Sequence, residues 1–172
     1  MAPNNMQEVV DSNASERSDT TGATPLMTYT ELLNVTIPAE PQFVSFARRA
    51  VQDVARQLQM DTDAIGDIML AVGEACSNGV QYGADRPDRM LSISCRVSRS
   101  AKRKDDVLEI DIRNHGNGFA GKVDWSEHRM PAAETLADHG RGLPLMRSVV
   151  DHVDFFSNNG DTIVRLTKRI EG

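Results

Sequence analysis

The sequence is poor in cysteine and has no long apolar run, and each shortage excludes a class of protein. Its 172 residues include two cysteines, Cys76 and Cys95, which do not form a CxxC pair. A disulfide framework and a cysteine metal site are therefore excluded, and we expect both side chains to be reduced and buried. No apolar run approaches the roughly 18 to 20 residues that span a bilayer. We therefore expect no transmembrane helix.

The chain also has fewer basic than acidic residues. The chain has 19 lysines and arginines against 25 acidic residues, which gives a net charge of −6. This balance argues against nucleic acid or an anionic membrane surface as the main partner. The N-terminus lacks a basic region followed by an apolar one, so nothing directs export and the expected location is the cytoplasm.

The first 28 residues differ in composition from the rest. They are rich in Asn, Ser, Thr and Asp, and their four acids and one arginine give a net charge of −3. Because they carry no periodic apolar pattern, we expect residues 1–28 to be a disordered tail. Residues 29–172 then have the length of one folded domain.

The apolar pattern of residues 29–172 predicts the element order β-α-α-β-β-loop-α-β-β. Alternation predicts strands near 29–37, 91–97, 108–112, 153–156 and 162–167. Spacings of three and four residues predict helices after Pro41, after Asp61 as the N-cap, and from about Leu143. Because the strands are paired and the helices grouped, the class is α+β, a two-layer sandwich.

A carboxylate and an amide lie four residues apart in the second predicted helix. The segment AVGEACSNG places Glu74 and Asn78 on one stripe, so both side chains point the same way. Such a pair can hold a hydrated divalent cation through the amide oxygen while the carboxylate accepts a proton. The alternative is a solvated helix face. Gly73 and Gly79 weaken the helix by about 1 kcal/mol each relative to Ala, which suggests close packing there.

Two glycine-rich segments follow. NHGNGF, residues 114–119, comes directly after a predicted strand, and Gly116 and Gly118 leave the backbone open to a ligand. HGRGLPLM, residues 139–146, leads into a helix whose first N–H groups lack partners, which is an anion-binding geometry. Arg141 there can add a contact to phosphate. The alternatives are an ordinary turn and a simple helix start.

The order and spacing of these three motifs resemble the N, G1 and G2 boxes of the GHKL ATPase superfamily. The resemblance covers about residues 30–170. Within the superfamily, EACSN and GRGLPLM look most like the serine kinases that act as anti-sigma factors in bacterial partner-switching modules. The resemblance implies the Bergerat type of α/β sandwich, with a mixed, mostly antiparallel sheet and helices on one face.

The resemblance also implies roles for individual residues. Glu74 is similar to the general base for the substrate hydroxyl, and Asn78 to the Mg²⁺ ligand that bridges to the phosphates of ATP. The stretch 119–139 looks like the lid over the nucleotide. The implied nucleotide-binding positions are Asn114, Gly116 and Gly118 near the adenine and ribose, and Gly140, Arg141, Gly142 and Leu143 around the phosphates.

One position departs from the family pattern. The G1 box usually opens with an Asp that accepts a hydrogen bond from the adenine amino group, and Asn114 stands there instead. An amide oxygen still accepts from that amine, but it brings no charge. A weakened hydrogen bond costs about 1 to 2 kcal/mol, which is roughly tenfold in affinity.

The function implied is that of an ATP-dependent protein serine/threonine kinase and anti-sigma factor. Such a protein binds a sigma factor, phosphorylates a small anti-anti-sigma antagonist, and often forms a homodimer. A partner-binding module with the same fold and weak or no kinase activity is the alternative, motivated by Asn114. A stand-alone ATPase or sensor-kinase fragment fits the boxes but not the small size. The four histidines show no metal-ligand spacing.

Overall fold

The computed structural model describes residues 27–82, 88–99, 106–115, 142–158 and 161–171. The predicted tail, apart from its last two residues, and the predicted lid lie outside these ranges, so both stay predictions. Across the described ranges, no helix combines the length and the apolar character that crossing a membrane requires.

The described elements follow the predicted order. The first half contains β1 (Thr28–Pro38), α1 (Pro41–Gln57), α2 (Thr62–Tyr82) and β2 (Met90–Arg99). The second half contains β3 (Val107–Asn114), α3 (Gly142–Val149), β4 (His152–Asn158) and β5 (Asp161–Arg169). Every predicted strand and helix is present, and the differences are confined to the ends.

The strands form one sheet with the order β1-β2-β3-β5-β4, and each neighbouring pair is antiparallel. Side chains alternate between the two faces of a strand, so the apolar positions of the central strands share one face. These buried positions are Leu91, Ile93, Cys95, Leu108, Ile110, Ile112, Val164 and Leu166. The helices pack on this face. The predicted α+β two-layer sandwich is therefore confirmed, while the sheet of the described strands is entirely antiparallel and not mixed as expected.

The start of α2 is fixed by two polar contacts. The Asp61 carboxylate accepts a hydrogen bond from the Ala64 N–H at 2.8 Å, which confirms the predicted N-cap. One turn later, the Lys168 Nζ donates to the Asp67 carboxylate at 2.9 Å and to the Val149 carbonyl at 2.7 Å. A single ammonium group thus ties the first half of α2 to β5 and to the end of α3.

The end of α2 lies unusually close to β2. A Cβ built on Gly79 would lie 2.7 Å from the Leu91 Cδ2, so only glycine allows this approach. Arg89 donates hydrogen bonds to the carbonyls of Gly79 at 3.1 Å and Val80 at 3.0 Å. Carbonyls in the last turn of a helix lack intrahelical partners, and the guanidinium supplies them here.

Both cysteines are buried and unpaired, as predicted. Burial raises the pKa of the Cys76 thiol to about 12. Burial, reinforced by the negative charge of Asp111, raises the pKa of the Cys95 thiol to about 12 as well. Both side chains are therefore neutral core residues at physiological pH.

Candidate nucleotide and catalytic site

Glu74 and Asn78 meet at the first residue of α3. Both are half-buried and lie one turn apart on α2. A Cβ built on Gly142 would lie 2.8 Å from the Glu74 Oε2, and 3.6 and 3.7 Å from the Asn78 Nδ2 and Oδ1. The structure therefore brings an acid and an amide, four residues apart in sequence, to a helix N-terminus that lies more than 60 residues further along the chain.

The N-terminus of α3 gives this meeting point a positive electrostatic character. The first N–H groups of a helix lack intrahelical partners, and the helix dipole places partial positive charge there. Leu143 and Met146 are buried and anchor the helix in the core. Because Gly142 has no side chain, the helix start and the Glu74 carboxylate can approach closely. This geometry suits phosphate groups.

A second part of the site lies at the end of β3. Asn114 is only 6% exposed, and its Nδ2 donates a hydrogen bond to the Gly79 carbonyl at 3.2 Å. Its Oδ1 is buried and accepts no hydrogen bond from any described residue, and the same holds for the Thr162 Oγ1. Asn114 and Thr162 are direct cross-strand partners, so their side chains share the helix-facing side of the sheet. Buried polar atoms normally have partners, so this pair is a candidate contact for a polar ligand.

The Gly79 carbonyl fixes the orientation of the Asn114 amide. A flipped amide would point its oxygen at another acceptor, so the NH₂ group must face Gly79. The Oδ1 is then the atom left to face a ligand. It can accept from an exocyclic amino group such as that of adenine, and it cannot donate to the carbonyl of guanine. The departure from Asp at this position therefore keeps the acceptor that the family pattern requires.

The surface beside Glu74 comes from α1. A Cβ built on Gly73 would lie 3.4 Å from the Arg48 Cδ and 3.6 Å from its Nε, so the Arg48 side chain lies over the residue that precedes Glu74. Phe46, two residues before Arg48 in α1, is 52% exposed. Both glycines that suggested close packing in the sequence, Gly73 and Gly79, therefore do contact a neighbouring element.

The predicted site residues divide into two groups. Gly116, Gly118, Gly140 and Arg141 lie outside the described residues. Glu74, Asn78 and Gly142 converge, Leu143 is a core residue at the same helix start, and Asn114 occupies the other end of the site. Sequence reasoning did not single out Thr162, the cross-strand partner of Asn114, or Arg89, which caps the end of α2. The segment DTIVRL offered a signal for Thr162, because its alternation places this polar residue on the apolar face of the strand.

Fold and site together define the chain as an ATPase-type domain. Residues 37–168 match the family model of the histidine kinase-like ATPase domain. The match covers well over half of the chain, and the protein belongs to this family.

Within the family, the chain is similar to serine-protein kinases. It is 29% identical over 155 residues to the serine-protein kinase RsbW of Bacillus velezensis, covering 86% of this chain and 91% of the relative. It is 30% identical to the RsbW of Bacillus pumilus, with 77% and 83% covered, and 31% identical to that of Bacillus licheniformis, with 73% and 78% covered. The chain therefore falls in the serine/threonine kinase class, as the motifs predicted.

A solved structure shows the same fold. The crystal structure of the RsbU and RsbW domains of a Mycobacterium tuberculosis protein matches with a TM-score of 0.52 and 16% identity. The match covers 80% of this chain and 32% of the longer mycobacterial chain.

Proposed function

We propose that the protein is an ATP-dependent anti-sigma kinase. It binds a sigma factor and transfers the γ-phosphoryl group of ATP to a Ser or Thr of a small antagonist protein. The convergence of Glu74 and Asn78 on Gly142 carries the proposal, because it joins a proton acceptor, a metal ligand and a phosphate-binding helix start. The similarity to serine-protein kinases over most of the chain supports it.

The buried pair at the end of β3 supports adenine as the base. The Asn114 Oδ1 would accept a hydrogen bond from the adenine amino group, and the Thr162 hydroxyl has the capacity to donate to or accept from the same ligand. Gly116 and Gly118, in the loop that follows Asn114, would border the base and ribose.

The phosphate end would be held by α3 and the segment before it. The N–H groups at Gly142 and Leu143 would donate to phosphate oxygens, and Gly140 and Arg141 would complete the cradle. Asn78 fits a magnesium ion, because Mg²⁺ prefers oxygen ligands and the amide has one near the helix start. When bound, Mg²⁺ neutralises charge on the phosphates.

Glu74 would act as the general base. As the substrate hydroxyl oxygen bonds to the γ-phosphorus, its proton passes to the Glu74 carboxylate, and the bond from the γ-phosphorus to the bridging oxygen breaks to release ADP. The positive end of α3 beside the carboxylate offsets the repulsion between Glu74 and the phosphates.

We further propose that the protein acts in the cytoplasm as a homodimer. The strand β1 is an edge of the sheet, and its Tyr29 and Leu32 are 53% and 37% exposed. An exposed edge strand with apolar side chains is a natural site for pairing with another chain. Glu74 lies on α2, which packs against β3 and β5, so a second copy at the β1 edge would leave the Glu74 site accessible.

The decisive experiment measures phosphate transfer from labelled MgATP to the antagonist protein of the same organism. Glu74→Gln should lower the rate by about 10²- to 10⁴-fold while ADP still binds, because it removes a proton acceptor and keeps the size of the side chain. Asp63→Asn, at an exposed carboxylate in the first turn of the same helix, is the matched control and should retain activity.

Two results would contradict the proposal. Equal transfer by Glu74→Gln and the wild type would remove Glu74 from the chemistry. Failure of the wild type to bind ATP at millimolar concentration in calorimetry would exclude the kinase and leave the partner-binding module.

A further inference from the structure

A chain of polar contacts crosses the open face of the sheet, on the side away from the helices. The Ser92 hydroxyl lies 2.7 Å from the His115 Nε2, and the His115 Nδ1 lies 3.2 Å from an Asp161 carboxylate oxygen. The Thr36 hydroxyl extends the chain at 2.9 Å from the Ser92 Oγ. Side chains from β1, β2, the residue after β3 and the start of β5 are thereby linked. We call Ser92, His115 and Asp161 the relay.

Two members of the relay adjoin the Asn114–Thr162 pair, which would face the base of the nucleotide and which we call the base end. His115 directly follows Asn114, and Asp161 directly precedes Thr162. The backbone N–H of His115 also donates to the Met90 carbonyl at 3.2 Å. His115 is therefore held by one backbone contact, with Met90, and by two side-chain contacts, with Ser92 and Asp161. Because consecutive strand residues point to opposite faces, the relay lies on one side of the sheet and the Asn114–Thr162 pair on the other.

The order Ser, His, Asp resembles a hydrolytic triad, but the surroundings do not support acyl transfer. Ser92 is the third residue of β2, which pairs with β1 on one side and β3 on the other. The backbone N–H groups around Ser92 are thus engaged in the sheet. An oxyanion needs free donors close to the nucleophile. The geometry therefore favours a role for the relay in positioning neighbouring residues.

The charges around His115 favour one arrangement of the protons. Asp161 faces its Nδ1, and the Arg113 Nη1 lies 3.7 Å from the same carboxylate group, so the acid is shared by a guanidinium and the imidazole. With a proton on Nδ1 donated to Asp161, the Nε2 accepts from the Ser92 hydroxyl, and the Ser92 Oγ accepts from Thr36. This tautomer satisfies the Thr36–Ser92 and Ser92–His115 hydrogen bonds and directs the Nδ1–H at the Asp161 carboxylate.

We infer that the relay is a positioning device for the base end of the nucleotide site. It fixes His115 and Asp161, and through the backbone it fixes the spacing between the Asn114 Oδ1 and the Thr162 Oγ1. The inference rests on the proposed function, because it concerns how the base of ATP is held. The reacting end at Glu74 and Gly142 lies on other elements, so the relay acts on nucleotide affinity and leaves the transfer step unchanged.

The test compares nucleotide affinity and turnover in variants of the full chain. Ser92→Ala and Asp161→Asn should each raise the dissociation constant for ADP and the KM for ATP by about five- to tenfold, the size of effect of one lost hydrogen bond. The kcat should stay within about twofold of the wild type, because the groups at the phosphate end are untouched. Ser92→Thr keeps the hydroxyl on a strand and should restore near-normal affinity.

Two measurements distinguish positioning from a loss of stability. Glu109→Gln breaks the 2.6 Å ion pair with Arg96 on the same open face and is the matched control, which should leave ADP affinity unchanged. The ¹⁵N shifts of the His115 ring should report a protonated Nδ1 in the wild type and a mixture of tautomers in Asp161→Asn.

The outcomes separate the inference from the proposed function. If the wild type binds no adenine nucleotide, both fall. If the wild type binds ADP and Ser92→Ala binds it equally well, the relay inference alone is overturned. It is also overturned if Glu109→Gln weakens binding as much as Ser92→Ala does, or if the His115 ring carries its proton on Nε2.

Discussion

At the residue scale, the proposed contact with adenine depends on the orientation of the Asn114 amide. Its NH₂ group is committed to the Gly79 carbonyl, and its oxygen is left as an acceptor. We predict that Asn114→Leu, which has a similar size and no polar atoms, lowers ATP affinity about tenfold and reduces the preference for ATP over GTP. Calorimetry with both nucleotides measures this. Ser94→Ala, on the opposite face of the sheet, should change neither value, and a retained preference in Asn114→Leu would show that other groups read the base.

Gly142 matters because a side chain there would displace the Glu74 carboxylate. A Cβ on residue 142 would lie 2.8 Å from the Glu74 Oε2, and the carboxylate end of the side chain can move away. We predict that Gly142→Ala lowers kcat by about 10- to 100-fold, the cost of misplacing a reacting group by about an ångström. The melting temperature should not fall, since Ala is favoured over Gly in a helix. Unchanged kcat would mean that the position of Glu74 at this helix start is not critical.

At the element scale, α2 organises the site, and its own placement depends on the contact between Gly79 and Leu91. The helix carries Glu74 and Asn78, and its last turn receives the hydrogen bonds of Arg89 and Asn114 at one carbonyl. Moving the end of α2 away from β2 would therefore disturb the proposed catalytic pair and the proposed base end together.

The contact between α2 and β2 gives a stability prediction. An added Cβ at residue 79 would lie 2.7 Å from the fully buried Leu91 side chain. Overpacking costs about 1 to 3 kcal/mol, and the gain in helix propensity returns about 1 kcal/mol. We predict that Gly79→Ala lowers the free energy of unfolding by about 1 kcal/mol.

Chemical denaturation checks the Gly79 prediction through two comparisons. In a Leu91→Val background the clash is relieved, so the same substitution should be neutral or stabilising. Gly66→Ala, with no atom within 4 Å of the added Cβ, should stabilise the wild type by about 1 kcal/mol. Destabilisation of equal size in both backgrounds would exclude Leu91 as the cause.

The elements were predictable because their signals are local. Alternation along β2 and β3 and the three- and four-residue spacing along α1 and α2 appear in the sequence itself, and so does the Asp61 N-cap. The side-by-side placement of Glu74 and Asn78 follows from helix geometry alone. The approach of Gly142 to both residues does not, because it depends on where α3 docks. The expectation that Gly142 lies near Glu74 and Asn78 came from the order of the three sequence motifs, which resembles that of the GHKL superfamily.

At the scale of the whole molecule, the cross-strand arrangement is what sequence reasoning could not supply. The order β1-β2-β3-β5-β4 inserts β5 between β3 and β4, and this places Thr162 opposite Asn114. The contact between Ser92 and His115 joins residues 23 apart, and Asp161 comes from a further strand. Strand order and register are fixed by packing over the entire sheet, so no local pattern encodes these neighbours.

The dependence of stability on pH also belongs to the whole molecule. Burial opposes the ionisation of Asp151, but hydrogen bonds from the Arg169 N–H at 2.8 Å and guanidinium at 3.0 Å, with the charges of Arg169 and Lys168, outweigh it and lower the pKa of Asp151.

A carboxyl whose pKa is lower in the folded state stabilises the protein above its unfolded-state pKa, about 3.9, and loses this contribution as the pH falls through the folded-state value. We therefore predict that the free energy of unfolding declines on acidification below about pH 4 and that Asp151→Asn makes this decline shallower. Urea denaturation between pH 3 and 7 measures both slopes. Asp53→Asn, at an exposed carboxylate 3.7 Å from Arg56, is the control and should keep the wild-type slope. Because Asp151 bridges the start of β4 to the end of β5, equal slopes for Asp151→Asn and the wild type would mean that acid unfolding begins elsewhere in the fold.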